Sequence, residues 1–308
     1  MSAALAPLPA RAAQYAALAR SDATLHAYAS DWQHFCRWCE AHGAASLPAA
    51  DATLALYLSD LAATHRPATL RRRMASIAAA HRAARQPLPA GEATHAVMRG
   101  IRRAHGTAQR QARPARTAEV RRMLAACGTG TQGLRDRALL LLGFAAALRR
   151  SELVALDVAD LDWSEDGLTL TVRRSKTDQE GAGQRIGVPY GQRAATCPVR
   201  AVRAWLDAAG IAEGAALRSV DRWGRVGGRL TAQAVALRVK ALAEAAGLDP
   251  ARFSGHSLRA GLATAAAEAG ASERSIMAQT RHRSVAMVRR YIREGSLFRE
   301  NAAGTVGL

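Results

Sequence analysis

The sequence is short of cysteine, of acidic residues and of long apolar runs, and each shortage removes a class of protein. Its 308 residues include 4 cysteines. Cys36, Cys39, Cys127 and Cys197 do not make a disulfide scaffold in a chain this long. Cys36 and Cys39 form a CxxC, but no second pair completes a zinc site and no strand precedes them as in a thioredoxin-like site. They recur with Trp32 and Phe35 at helical spacing, so both thiols are expected on a buried face. No apolar run approaches the roughly 18 residues of a spanning helix, and the opening MSAALAPLPARAAQ is too short and weakly apolar for a signal peptide. The expectation is a cytoplasmic protein with no membrane partner. Missing too are a GxxxxGK[ST] phosphate loop, an Asp and Glu cluster that could hold two catalytic metals, and zinc-ligand spacing.

The scarcity of acid leaves an excess of base: 43 Lys plus Arg against 25 Asp plus Glu, a net charge of +18. Almost all of the excess is arginine. Codon bias alone would mainly swap lysine for arginine and leave their sum near normal. The charge points to a polyanionic partner, and nucleic acid leads because arginine forks suit phosphate oxygens. The length allows two domains with a full core in the larger.

Hydrophobic spacing divides the chain. After a tail at 1–20, residues 21–105 read as four short helices. The first carries Leu25, Tyr28, Trp32, Phe35 and Cys39 on one stripe. The second carries Leu54, Leu56, Tyr57 and Leu61. The third starts after Pro67, a favoured first-turn proline; there Arg71, Arg72, Arg73, Arg82 and Arg85 surround Leu70, Met74, Ile77 and Ala80. With the global charge, that basic face reads as DNA-facing rather than merely solvated. Residues 106–116 form a basic linker without apolar periodicity, suited to a chain that wraps a charged rod. From 117 to 308 the pattern is mixed: a capped helix, an apolar helix, a turn and a short helix, then a β-hairpin in GLTLTVRRSK and QRIGVPYG. After Pro198 the reading is helical to about Glu294. The fold class is mainly α with a small antiparallel β-sheet.

Five elements of the second part carry chemistry: ALRRSEL with Arg149 and Glu152, the hairpin turn with Lys176, GHSLR with His256 and Arg259, then His282, then Tyr291. A helix starting at Ser254 or Gly255 puts His256 and Arg259 in its first turn, where free amides and the helix dipole favour an anion. A buried arginine needs a carboxylate, so Glu152 is expected to orient Arg149. Val285, Met287 and Val288 are expected to form the apolar side of the Tyr291 helix. Gly295 is expected to end it, with Leu297 and Phe298 beyond, in a C-terminal tail at 295–308.

In order and spacing these residues resemble the tyrosine recombinase (phage integrase) family of site-specific DNA recombinases, over nearly the whole chain. The resemblance implies an N-terminal helical core-binding (SAM-like) domain and an α-rich catalytic domain of the DNA breaking-rejoining enzyme fold. It implies a Tyr291 nucleophile that forms a 3′-phosphotyrosine, and two arginines, Arg149 and Arg259, on the phosphate. Lys176 is implied as proton donor, His256 as general acid or base, His282 as a phosphate hydrogen-bond donor and Glu152 as companion of Arg149. No cofactor, metal or ATP is implied. The implied partners are double-stranded DNA with an inverted-repeat site and further copies of the chain, four in a synaptic complex, with exchange of C-terminal tails. A type IB topoisomerase-like enzyme and a non-cutting DNA-binding regulator are the alternatives. Two departures stand out: Ala147 and Arg281 occupy positions where the family usually has glycine. The second bears on the backbone that carries His282.

Overall fold

A computed structural model describes residues 20–107, 112–173, 183–282, 284–296 and 306, with 294–296 as backbone. Lys176, Leu297 and Phe298 lie outside them. The chain divides into two compact units, Met1–Arg110 and Gln111–Leu308.

The first unit has four helices, α1 Asp22–Ala41, α2 Asp51–Ala62, α3 Pro67–Ala83 and α4 Glu92–His105. Helical spacing brings Phe35, Cys39, Leu54, Tyr57, Leu70, Ile77 and Met98 into one core. Of the expected core residues Leu25 is 40% and Leu56 64% exposed, and Tyr28 and Ala80 are half-buried outside this core. Leu56 follows Leu54 by two residues, about 200° round the helix, and cannot share its face. Leu25 lies in the first turn of α1, ahead of the buried Asp31, Phe35 and Cys39. Cys39 is buried, and Cys36 is only half-buried. Helix α4 takes its cap from α2: the Asp51 carboxylate accepts the N–H groups of Gly91 at 2.9 Å, Ala93 at 2.9 Å and Thr94 at 3.0 Å. Hydrogen bonds from Thr94, then Gly91, hold that carboxyl down to about 2.

Arg73 corrects the basic face expected of α3. It is 8% exposed, donates from Nη1 to the Tyr57 hydroxyl at 2.5 Å, and sits 3.8 Å from the Asp31 carboxylate. Three residues after Leu70 and four before Ile77, it shares the buried stripe. Arg71, Arg72, Arg82 and Arg85 are exposed.

The second unit comprises α5 Thr117–Ala125, α6 Thr131–Ala145, α7 Arg150–Ala155, β1 Leu161–Trp163, β2 Gly167–Val172, β3 Gln184–Pro189, α8 Pro198–Ala209, β4 Arg218–Val220, β5 Val226–Arg229, α9 Ala232–Ala245, α10 Ser257–Glu268, α11 Glu273–Thr280 and α12 Val285–Ser296. Helix α6 is apolar all round from Ala138 to its end, and Ala138 through Leu142 are buried at the centre of the main core. The sheet is antiparallel in the order β1-β2-β3, with Leu168 opposite Val188 and Leu170 opposite Ile186. Their inward alternation is the pattern that revealed the hairpin. The stretch read as helical after Pro198 also contains the β4-β5 pair, which is too short and exposed to leave an alternating signal.

The end of the expected linker belongs to this unit. Arg113 N–H donates to Arg252 O at 2.7 Å and Ala115 N–H to Ser257 O at 2.9 Å, and Ala115 is fully buried. The strand-like segment lies so close to α10 that a Cβ on Gly261 would stand 2.0 Å from Ala115 O. At the other end α12 runs through Gly295 to Ser296 instead of stopping there. Its buried side is Val288 and Tyr291 with half-buried Ile292, whereas Val285 and Met287, expected there, are 39% and 42% exposed. Residues 288, 291 and 292 follow the i, i+3, i+4 rule; Met287 is about 100° off that line and Val285 opens the helix.

Candidate active site

Helix α6 ends at Ala145, and the chain turns through Ala147 in a left-handed conformation, φ 47°. The turn delivers Arg149 as the residue before α7. Glu152, in the first turn of α7, reaches back: Oε2 accepts the Arg149 backbone N–H at 2.9 Å and Oε1 accepts Arg149 Nη1 at 2.6 Å. The arginine and carboxylate paired on sequence grounds are thus in contact. Glu152 is 2% exposed, and a carboxylate so enclosed needs cations around it.

The second cation is Arg281, whose Nη2 donates to Glu152 Oε2 at 2.9 Å and to Ala147 O at 3.3 Å. Arg281 ends α11 in the left-handed region, φ 54° and ψ 41°, so the position tolerates a side chain while keeping a glycine-like backbone. The turn sets His282 with Nδ1 2.7 Å from Thr280 Oγ1. The Thr280 hydroxyl spends its proton on Ile276 O at 2.7 Å, so Nδ1 carries the His282 proton and Nε2 is bare when the ring is neutral. Gln279 ties the end of α11 to its surroundings, donating from Nε2 to Ala145 O at 2.7 Å and Gly187 O at 3.2 Å.

Helix α10 starts at Ser257, later than Ser254 or Gly255, and leaves His256 at the cap position and Arg259 in the first turn. Arg259 is 1% exposed and donates from Nη1 to Ala147 O at 2.7 Å; among the described residues its Nη2 has no partner. Helix α12 packs Val288 and Tyr291 against Ala260, Ala263, Ala267 and Ile276 of α10 and α11. This apolar seat fixes the Tyr291 ring, with the hydroxyl 3.3 Å from His256 Nε2 and the ring centroid 5.6 Å from that of His282. The structure therefore brings Arg149, Glu152, His256, Arg259, His282 and Tyr291 together from four separate stretches of chain. Lys176 lies outside the described residues, and the α3 arginines belong to the other unit.

The charges are unbalanced. Three guanidinium groups, Arg149, Arg259 and Arg281, surround one carboxylate, Glu152, an excess of two positive charges. Burial, then Arg259 and Arg149, bring His282 down to about 4. Burial, then Arg259, Arg149 and Arg150, lower His256 as well, so both imidazoles are neutral at pH 7. Burial, with Arg149 and Arg281 beside it, takes even Arg259 down to about 10. Burial alone would raise Glu152, but Arg281 and then Arg149 overcome it and hold that carboxyl below its ordinary value. A cluster of this kind is short of negative charge, and among the described residues Arg259 and Arg281 keep N–H groups without a partner. Sequence reading missed the parts of Thr280, Gln279 and the Arg281 side chain. The only sign of the last was a large cationic residue where glycine was expected.

Comparison with known proteins identifies the family and the fold. The phage integrase family model matches residues 115–296. The chain is 42% identical over 291 residues to the integrase/recombinase xerD homolog of Selenomonas ruminantium, covering 92% of this chain and 85% of that protein. It is 36% identical over 159 residues to tyrosine recombinase XerC of Xanthomonas campestris pv. campestris (strain B100), 52% of this chain and 44% of that protein. The fold is similar to that of lambda integrase (75-356) in a dimer bound to a COC′ core site, with TM-score 0.62 and 18% identity over 92% of this chain and 93% of that one. It is also similar to the XerH site-specific recombinase bound to palindromic difH substrate, with TM-score 0.61 and 16% identity over 83% and 72% of the two chains. Among the described residues no helix is long and apolar enough to cross a membrane. The chain belongs to the phage integrase family and is a site-specific tyrosine recombinase.

Proposed function

We propose that the protein cuts and rejoins duplex DNA through attack of the Tyr291 hydroxyl on a phosphodiester, with Arg149, Arg259, His256, His282 and Lys176 carrying the step. The supporting observation is the Tyr291 hydroxyl 3.3 Å from a neutral His256 Nε2, beside unpaired guanidinium donors. A tyrosine hydroxyl, ordinary pKa about 10, needs help to act as a nucleophile at neutral pH. His256 Nε2 takes its proton as the Tyr291 oxygen bonds to phosphorus. The bond from phosphorus to the 5′ oxygen breaks, Lys176 protonates that oxygen, and the product is a 3′-phosphotyrosine with a free 5′-hydroxyl. Arg149 and Arg259 bind the non-bridging oxygens and offset the extra charge of the pentavalent transition state. With the phosphate anion bound, His282 Nε2 takes a proton from solvent and donates it in a hydrogen bond to a phosphate oxygen; His282 Nδ1 is already committed to Thr280. One phosphodiester replaces another, so resealing to a new strand requires no ATP.

The exposed Arg71, Arg72 and Arg82 of α3, with Arg85 just beyond its end, contact the DNA backbone in this reading, and the cytoplasm is where the chain meets its DNA. Four copies act on paired inverted-repeat sites. An apolar pocket of about 580 Å³ between α5, α6, α10 and α11, lined by Val120, Leu124, Phe144, Leu262 and Ile276, is the receptor for Leu297 and Phe298 of a neighbouring copy. The test is incubation with supercoiled DNA carrying the site, without ATP or added metal. Wild type becomes linked to a 3′ end, and Tyr291→Phe binds without forming an adduct. An adduct with the variant removes Tyr291 as nucleophile, and relaxation of plasmids lacking the site points to topoisomerase action.

A further inference from the structure

We propose that Arg281 is a third anion-binding arginine of this site, taking the same phosphate as Arg149 and Arg259. The inference rests on the phosphodiester reading above and extends it to a residue outside the expected set. Three observations carry it. The Arg281 side chain is 6% exposed, yet only Nη2 is engaged, on Glu152 Oε2 and Ala147 O; Nε and Nη1 have no partner among the described residues. A guanidinium group kept from water with two nitrogens unused is costly unless an acceptor arrives.

The second observation is the company it keeps. Ala147 O accepts from Arg259 Nη1 at 2.7 Å and from Arg281 Nη2 at 3.3 Å, so one carbonyl holds the two guanidinium groups side by side. Arg259 likewise has a free Nη2. The unused donors of both residues therefore belong to one locality, beside His282 and Tyr291. The charge balance points the same way. Glu152 and Arg149 alone form a neutral pair; Arg281, sharing the same carboxylate, restores a full positive charge to it.

The third is the backbone. An L-residue other than Asn or Asp seldom stays in the left-handed region, and a φ of 54° is strain that the surroundings must sustain. A residue serving only to end α11 would do so more easily as glycine. The arginine places its side chain inward against Glu152, where a structural ion pair would explain one nitrogen and leave the other two idle.

The test is titration with inorganic phosphate at pH 7, followed through the imidazole NMR resonances of His256 and His282, for wild type, Arg281→Gly and Arg281→Lys. Glycine suits the backbone and keeps the fold; lysine keeps the charge. The half-saturating phosphate concentration is expected to rise about tenfold in Arg281→Gly, the loss of one charge-assisted contact, with Arg281→Lys between it and wild type. Equal affinity in wild type and Arg281→Gly overturns the proposal and leaves the other residues' roles standing. Equal weakening in both variants also overturns it, because a placement role is lost alike in either. No response of the two histidines to phosphate in wild type overturns both this inference and the phosphodiester reading.

Discussion

Replacing Glu152 with Gln keeps the shape of the side chain and removes the single negative charge among three guanidinium groups. Glu152 is 2% exposed and accepts three hydrogen bonds, from the Arg149 backbone N–H, Arg149 Nη1 and Arg281 Nη2. Every one of those donors points at a carboxylate oxygen, so an amide NH₂ in place of either oxygen meets a donor head-on. Leaving a buried charge without its partner costs about 3–5 kcal/mol, and the remaining amide oxygen brings the expected loss to the lower end, about 3 kcal/mol. For a unit the size of Gln111–Leu308 each kcal/mol is about 2–4 °C, so calorimetry should find the second unit melting roughly 6–12 °C lower.

The pH dependence checks the cause. Glu152 has a folded-state pKa below its unfolded value, so its contribution is complete above the ordinary carboxylate range and is lost as pH falls through the folded value. Glutamine does not titrate. The gap in melting temperature between wild type and Glu152→Gln should therefore be widest near pH 7 and shrink as pH falls below about 4.3. A variant as stable as wild type at pH 7, or a gap that stays constant down to pH 3, would refute the account of Glu152 as the counter-charge.

Two other perturbations test the frame around the site. Gly261→Ala sets a Cβ 2.0 Å from Ala115 O, a backbone atom that cannot swing away; destabilisation of about 2–3 kcal/mol in urea unfolding is expected, and a neutral substitution would mean that residues 112–116 do not pack on α10. His282 is brought down to about 4 in the folded state, so between about 6.5 and 4 the unfolded chain binds more protons and stability falls with falling pH. The ring is only partly buried, so the share due to His282 is discounted to about 1–2 kcal/mol; His282→Gln should flatten the decline, and an undiminished slope would assign the effect to His256.

What could be read beforehand followed the strength of the periodic signal. Helices α1 to α4, the apolar α6 and the β2-β3 hairpin have stripes or alternation long enough to outweigh local noise. The β4-β5 pair, with Gly227 and Gly228 on an exposed strand, has none. Errors within helices came from treating an apolar letter as a buried one: Leu56 and Met287 fall off the stripes of their own helices, while Arg73 falls on one and is buried with Tyr57 and Asp31. In the site, spacing suggested that Glu152 serves Arg149 because the two are three residues apart on one chain segment. Nothing local could show that Arg281, far along the chain, reaches the same carboxylate.

Ala147 and Arg281 make that reach intelligible. Both stand where glycine was expected, and both keep a glycine-like backbone, φ 47° and 54°. The carbonyl of the first accepts from the side chain of the second and from Arg259. The two turns are thus coupled: one ends α6 and aims Arg149, the other ends α11 and aims His282, and a hydrogen bond and a shared carboxylate join them. A glycine at 281 would preserve the turn and lose the tie. The arginine ties the two turns together through Ala147 O and Glu152, and in the phosphate-binding role proposed for it the same cation also meets the anion. Stability and phosphate affinity are therefore linked through the same side chain, and an Arg281→Gly variant that loses both together, with the loss of stability made up by saturating phosphate less fully than in wild type, is the behaviour this coupling requires.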